Sequence, residues 1–496
     1  MPIKVCETAI DTIEVSTRMP FRYGIVTLTR VPHLLLRLRL EVDGRSQWGT
    51  AADHLPPKWF TKDPDAPIDG EIAQMRQVIG NAAAIAESIG PGASVFELWQ
   101  RTYQGQAAWA AGLGAAYPPL LWGFGVSLVE RAMIDAFCRA EKTPFARALR
   151  SGALGVRPGE IHPTLLDDSV QSLLPPRPLA RLTVRHTVGL LDPLTGGEIA
   201  PADRLDDGLP QSLEGCIRAY GLRLFKLKIG GDIEQDILRL RRIAAVIEAS
   251  PITGPGFTLD GNETYREVEG FRELWSRLGE DPVTRRLIDR VLFVEQPLHR
   301  AVALSDAAGA KLSAWAERPP IIIDESDGEL DSLPRALARG YAGTSHKNCK
   351  GVFKGVANAA LIAQLNREAA GVGSAAGAPP FPGGRYLLSA EDLSNIGPVA
   401  LLQDLAVAAT LGIDHLERNG HHYFRGLSMF PRPLQERMLD HHGDLYHWHS
   451  CGFTALRIEN GSLSARSVTE APFGYAETDL LPPPQVAGRA EAPGGA

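Results

Sequence analysis

Six polar residues each close a short apolar run: Lys228 in LFKLKIG, Asp260 in FTLDGN, Glu295 in VLFVEQP, Asp324 in PIIIDES, Lys347 in TSHKNCK and Glu391 in LSAEDLS. Asp260, Glu295 and Asp324 follow one another as carboxylates. A single acid in such a place more often ends a strand or caps the next helix. Three in succession, brought together with no positive charge between them, would repel, and a hard divalent cation relieves that repulsion. Oxygen-only ligation with room left for water and substrate suits Mg2+, with Mn2+ as its substitute.

The lysines add a second kind of chemistry. In Phe225-Lys226-Leu227-Lys228 the two-residue alternation of a strand puts Lys226 and Lys228 on one face. Two ammonium groups side by side disfavour each other's charge, so at least one is expected to have a lowered pKa and to be a usable general base. Lys347 comes four strands later. Bases facing each other across a cavity suit a reaction in which a proton leaves one side of a carbon and another arrives from the opposite side.

What must bring these groups together is a repeating unit. The six markers are spaced by 32, 35, 29, 23 and 44 residues, near the roughly 30-residue period of a (β/α)8 barrel, whose strand C-termini converge on one mouth. The runs alternate with amphipathic stretches such as DIEQDILRLRRIAAVIEA, as βα units require. A doubly wound sheet would show a Gly-rich turn after its first strand, and none appears. Ahead of the barrel, Ile3–Val15 and His33–Val42 read as antiparallel strands joined by a loop over Met19–Arg30, and residues 70–140 carry a helical period. The expected organisation is an α+β domain over 1–145, a linker or excursion over 146–180, a barrel over 181–445, a C-terminal segment over 446–480 and a disordered tail over 481–496. Leu191–Pro210 and Ala370–Gly384 read as inserted loops.

The chain has 496 residues and a net charge of −7, with Lys+Arg 51 against Asp+Glu 58. That leaves no basic excess for nucleic acid or an anionic membrane surface. Its five cysteines are scattered and never form a CxxC pair, which argues against both a disulfide framework and a structural zinc site. The first residues lack a signal-peptide core, and no apolar run is long enough to span a bilayer. A cytoplasmic enzyme acting on a small molecule is expected.

Taken in order, FKLKIG, LDGN, VEQP, IDES and HKNCKG resemble the muconate lactonizing enzyme subgroup of the enolase superfamily over residues 220–405. The resemblance implies a TIM-like barrel with an N-terminal α+β capping domain, on which the 446–480 segment packs back, in a homo-oligomer. It implies Mg2+ held by Asp260, Glu295 and Asp324 and binding a substrate carboxylate. It further implies removal of the proton alpha to that carboxylate, giving an enediolate, in a racemase or epimerase, with cycloisomerisation or dehydration as the alternative outcome. Lys228 and Lys347 match the paired bases, Lys226 the auxiliary lysine that stabilises developing negative charge, and Glu391 the seventh-strand carboxylate. Asn262 shares a face with Asp260 and could hold it in place.

Departures from that pattern are specific. The usual double glycine after the sixth strand is reduced to Gly351, which makes Lys350 and Lys354 rivals to Lys347. The eighth-strand Asp-x-Asp of dipeptide epimerases is missing from IDHLERNGHHYFRG, and no His lies between Arg385 and Leu405 to form the His–Asp dyad of mandelate racemase. Arg22, Tyr23, Trp59, Arg418 and Arg425 are candidates to contact the distal end of a substrate. DHHGDLYHWH, with His441, His442, His447 and His449, reads as a histidine-rich surface turn rather than a metal site.

Overall fold

The computed structural model describes residues 2–23, 25–166, 169–371 and 384–476. Residues 372–383 of the expected Gly/Ala/Pro loop and the expected tail over 481–496 lie outside the described residues.

The chain begins with an antiparallel sheet of β1 (Ile3–Tyr23), β2 (Val26–Val42) and β3 (Arg45–His54). The loop expected over Met19–Arg30 is instead a paired hairpin arm, with Phe21 opposite Leu28 and Tyr23 opposite Val26. The β-branched run Val26-Thr27-Leu28-Thr29 favours strand over loop, and a register shift between Ser16 and Phe21 marks where the arm leaves the main ladder. Helices α1 (Ile68–Ser88) and α3 (Pro119–Ala140) pack on this sheet, and α2 (Val95–Ala111) packs on those two helices. Almost all of α3 is buried, including its polar Glu130, Arg131 and Asp135. Each of these is paired: Arg131 donates to Asp53 and to the carbonyl of Ala52, and Asp135 accepts from the Thr50 amide. Gly49 allows α3 to lie this close, since a Cβ there would sit 2.2 Å from the Ala132 carbonyl oxygen.

The barrel follows as eight parallel strands: β4 (Arg181–Val188), β5 (Leu224–Lys228), β6 (Gly256–Asp260), β7 (Val291–Glu295), β8 (Ile321–Ile323), β9 (Gly343–His346), β10 (Leu387–Ala390) and β11 (His415–Arg418). Pairing of β11 with β4 closes it. After a hairpin of β12 (Tyr446–His449) and β13 (Phe453–Leu456), the strand β14 (Ser462–Ser464) adds antiparallel to residues 181–183 of β4, below the point where β5 takes over that edge. The chain then reaches α3, where the Tyr475 hydroxyl donates to Asp135 and Arg139 donates to the Tyr475 carbonyl. Among the described residues no helix is long and apolar enough to cross a membrane.

Candidate active site

Parallel register sets three site residues side by side: Lys228 on β5 is opposite Asp260 on β6, which is opposite Glu295 on β7. Asp324 and Lys347 directly follow β8 and β9, and Glu391 follows β10. All six are buried at one end of the barrel. Lys226, two residues before Lys228 and on the same face, donates to Glu295 Oε1 (2.8 Å), Glu391 Oε2 (3.0 Å) and Glu417 Oε2 (2.8 Å), and lies 2.9 Å from Asp260 Oδ2. Lys228 donates to Asp260 Oδ2 at 2.5 Å. Across the barrel, Lys347 donates to Asp324 Oδ2 (2.7 Å), lies 3.3 Å from Glu391 and stands 4.7 Å from the centre of the Trp59 ring.

Lys226 does not have the lowered pKa that adjacency in KxK suggested, and Lys347 is not lowered either. Burial opposes their charge, but the acids around each outweigh it and hold both ammonium groups well above their ordinary value. Pairing with acids dominates over the proximity of like charges. Asp260 shows the other side of the exchange: burial opposes its ionisation, yet Lys226 and Lys228 keep its carboxyl below the usual range. Glu295 goes the other way. Burial, together with Asp260 and Glu391, pushes it well up, and its Oε2, 2.8 Å from the Lys226 ammonium, accepts no hydrogen bond.

Carboxylate oxygens of Glu295, Asp324 and Glu391 lie within 4.8 Å of one another. This all-oxygen, acid-crowded set suits a hard divalent cation. It contains two of the three expected ligands, with Glu391 in the place given to Asp260. Asp260 sits next to it, turned toward Lys226 and Lys228. Asn262 acts on Asp260 through its backbone, its amide donating to Asp260 Oδ1 at 2.8 Å.

A cavity of about 50 Å3 opens over these groups, lined on the barrel side by Lys226, Lys228, Asp260, Asn262, Asp324 and Lys347. The first domain covers it with Phe21, Tyr23, Leu28, Val31, His54 and Trp59, so Tyr23 and Trp59 are where a substrate contact requires. The three arginines are not. Arg22 is exposed on the hairpin arm and lines no part of this cavity. Arg418 is buried against Asp392 and the Asn395 carbonyl. Arg425 lies over Phe453 and donates to the Cys451 carbonyl. Lys354 separates from Lys347, lining another cleft with Glu130 and Asp327; Lys350 lines that cleft too but also donates to Asp324 Oδ1 at 3.1 Å, sharing that carboxylate with Lys347.

Glu417 and Arg185 were not singled out from sequence. Glu417 completes the acid ring around Lys226, and Arg185 donates to Glu391 at 2.6 Å. Glu325, beside Asp324, is pushed up to about 8 by burial and neighbouring acids. The histidine-rich segment is not simply a surface turn, because His442 is buried and its Nδ1 lies 2.9 Å from Ser467 Oγ.

No family model matches the sequence, and no curated protein matches it. Solved structures do match. A dipeptide epimerase from Methylococcus capsulatus, complexed with Mg and the dipeptide L-Arg-D-Lys, is 16% identical over 93% of this chain and 99% of its own, with a TM-score of 0.52. The N-succinyl Arg/Lys racemase from Bacillus cereus ATCC 14579 is 14% identical over 95% and 98%, with a TM-score of 0.54. A muconate lactonizing enzyme from Pseudomonas fluorescens, complexed with muconolactone, is 18% identical over 83% and 87%, with a TM-score of 0.53. At such identities the likeness is one of architecture: the chain has the capped-barrel fold of the enolase-superfamily racemases, epimerases and muconate lactonizing enzymes.

Proposed function

We propose that the protein is a Mg2+-dependent racemase or epimerase of the enolase superfamily, acting on the carbon alpha to a substrate carboxylate. The observation that carries this reading is the placement of Lys228 and Lys347. They belong to β5 and to the residue after β9, four strands apart in an eight-stranded ring, and both line one cavity. A substrate carbon between them exposes one face to each amine, which is the geometry of proton removal from one side and delivery from the other. Lys226, fixed by four carboxylates, supplies positive charge for the enediolate left when the α proton departs. Glu295, Asp324 and Glu391, with Asp260 beside them, are the residues that would hold the metal. When bound, Mg2+ would neutralise acids that keep Lys347 charged and would add positive charge beside the substrate carboxylate.

The covering wall favours a substrate whose far end is uncharged. Phe21, Leu28, Val31, Tyr23 and Trp59 dominate it, and burial holds His54 down to about 4, a neutral imidazole. The test is proton NMR in D2O with Mg2+ and panels of N-acylamino acids, dipeptides, acid sugars and lactone-forming diacids. Deuterium at the α carbon of both enantiomers is expected, with Lys228→Ala and Lys347→Ala each stopping exchange from one enantiomer. An unsaturated or lactone product would assign cycloisomerisation or dehydration instead. Exchange undiminished in both lysine variants would overturn the assignment of the bases.

A further inference from the structure

On β4, Arg185 and Thr187 face the barrel interior, where they bond Glu391 and Glu417 (2.6 Å each). His186, between them, faces the other way. There it meets Cys216, from the helix Leu213–Tyr220, and His422, from the turn Gly420–Tyr423 after β11. One ligand atom from each of His186, Cys216 and His422 lies within 4.8 Å of the other two, and all three residues are buried. We propose that these three side chains form a binding site for a borderline-soft transition metal of the Zn2+ class, distinct from the carboxylate cluster at the barrel mouth.

Thiol and imidazole are the donors such an ion selects, and Mg2+ does not. The Cys216 Sγ to His422 Nδ1 distance is 3.4 Å. Bond lengths of about 2.3 Å to sulfur and about 2.0 Å to nitrogen at a tetrahedral centre place those two atoms roughly 3.5 Å apart. The opposite nitrogen of His422 lies 4.0 Å from Asp192 Oδ2, and Asp192 is itself fixed by the Gly189 amide and the Tyr423 hydroxyl, both at 2.7 Å. A carboxylate to which a ligating histidine's other ring nitrogen donates is the usual support of a metal site, and this pair would have to close by about 1 Å to form that bond. Hydrogen bonding pairs Cys216 with His422 but serves the other two imidazoles poorly. The one hydrogen-bond partner His186 Nδ1 has is another imidazole, His421 Nε2 at 3.2 Å, and His421 Nδ1 is buried with no partner among the described residues. A cavity of about 340 Å3, lined by Tyr220 and His421 among others, lies next to the site.

The site joins three separate segments exactly beneath the hairpin arm. Arg18 of that arm donates to the His422 carbonyl at 2.9 Å, and Phe21 stacks on Tyr423 with ring centres 4.1 Å apart. A bound ion would make a rigid seat for the cover of the active site.

The test uses the full chain, stripped with chelator and titrated with Co2+ or Zn2+ in excess Mg2+. Wild-type protein should bind Co2+ with a thiolate-to-cobalt charge-transfer band that Cys216→Ser loses and Asp324→Asn keeps. Zn2+ should slow alkylation of Cys216, mapped by mass spectrometry against the other four cysteines, at least tenfold. Absence of the band in wild type, its survival in Cys216→Ser, or Zn2+-independent alkylation would each overturn the proposal. None of these readouts depends on turnover, so they stand or fall apart from the proposed racemase activity.

Discussion

Glu130 lies on α3 of the first domain, yet it caps a helix of the barrel. Its carboxyl accepts from the amides of Val352 (3.0 Å) and Phe353 (2.6 Å), at the start of the helix Val352–Ala369. The residue before them, Gly351, has no side chain to do this. Burial pushes Glu130 up from 4.5 to about 7, against the two amides and the charges of Arg131 and Lys354. A carboxyl whose folded value is raised holds its proton more tightly in the fold. Its contribution to stability is complete below pH 4.5 and is lost as pH rises through about 7. The span corresponds to about 3 kcal/mol. Glu130→Gln cannot ionise and should show no such loss. Its amide nitrogen facing one backbone N–H sets a pH-independent offset of about 1–3 kcal/mol. Urea unfolding followed by tryptophan fluorescence at pH 5, 6, 7 and 8 separates the two terms. The wild-type curve should fall relative to the variant by most of that 3 kcal/mol. Parallel curves would refute the reasoning, because Glu130 would then be ionised throughout.

Lys226→Met strands four carboxylates around a missing charge and should lose at least about 3–5 kcal/mol in chelator, with Mg2+ restoring part of the urea midpoint; a loss under 1 kcal/mol would contradict the role given to the ammonium. Arg18→Ala removes the bonds that tie the hairpin arm to Asp207, Leu209, Pro210 and His422, so limited proteolysis should cut within residues 17–30 before the barrel is touched. Trp59→Ala takes the ring away from the Lys347 ammonium, an interaction worth about 1–2 kcal/mol. The limb of kcat/KM that needs Lys347 as a base should therefore move about one unit toward lower pH, and Trp59→Phe should move it less. Chelation should leave near-ultraviolet circular dichroism unchanged, while Mg2+ at a hundredfold excess over its Kd should add about 2.7 kcal/mol.

The barrel and its mouth were legible because Lys228, Asp260, Glu295 and Asp324 each close an apolar run, while Lys347, after the polar Gly-Thr-Ser-His, was placed by spacing. LFKLK, FTLD and VLFVE announce both a strand and its functional end. Glu417 and Arg185 escaped for the complementary reason. The strand HLER has a single apolar residue, and RLTVRHTV carries charge on the face that points inward, so neither has the contrast that marked the others. The hairpin arm was missed because Met19–Arg30 reads as one loop, whereas residues 21–23 pair with 26–28 and carry β1 and β2 into it. Lys226 is raised where adjacency alone suggested a lowered lysine, because KxK is visible along the chain while the four acids facing Lys226 come from four other strands.

That convergence explains how such a mouth can fold at all. Five carboxylates, Asp260, Glu295, Asp324, Glu391 and Glu417, meet Lys226, Lys228, Lys347, Lys350 and Arg185, and the Asp327–Lys354 pair adds one charge of each sign. Buried acids in this number would be prohibitive without compensation. The lysines supply it, so the site does not need a metal to form. The same balance makes the lysines responsive to one. Lys226 and Lys347 are each held charged by acids that a cation would share, so adding two positive charges favours loss of a proton from the amine with fewer remaining anions. Lys226 has four carboxylates and Lys347 two; Lys228 has Asp260 alone. Of Lys226 and Lys347, Lys347 should give up its proton first and Lys226 last, which is the division between a base and a fixed cation that the proposed reaction requires.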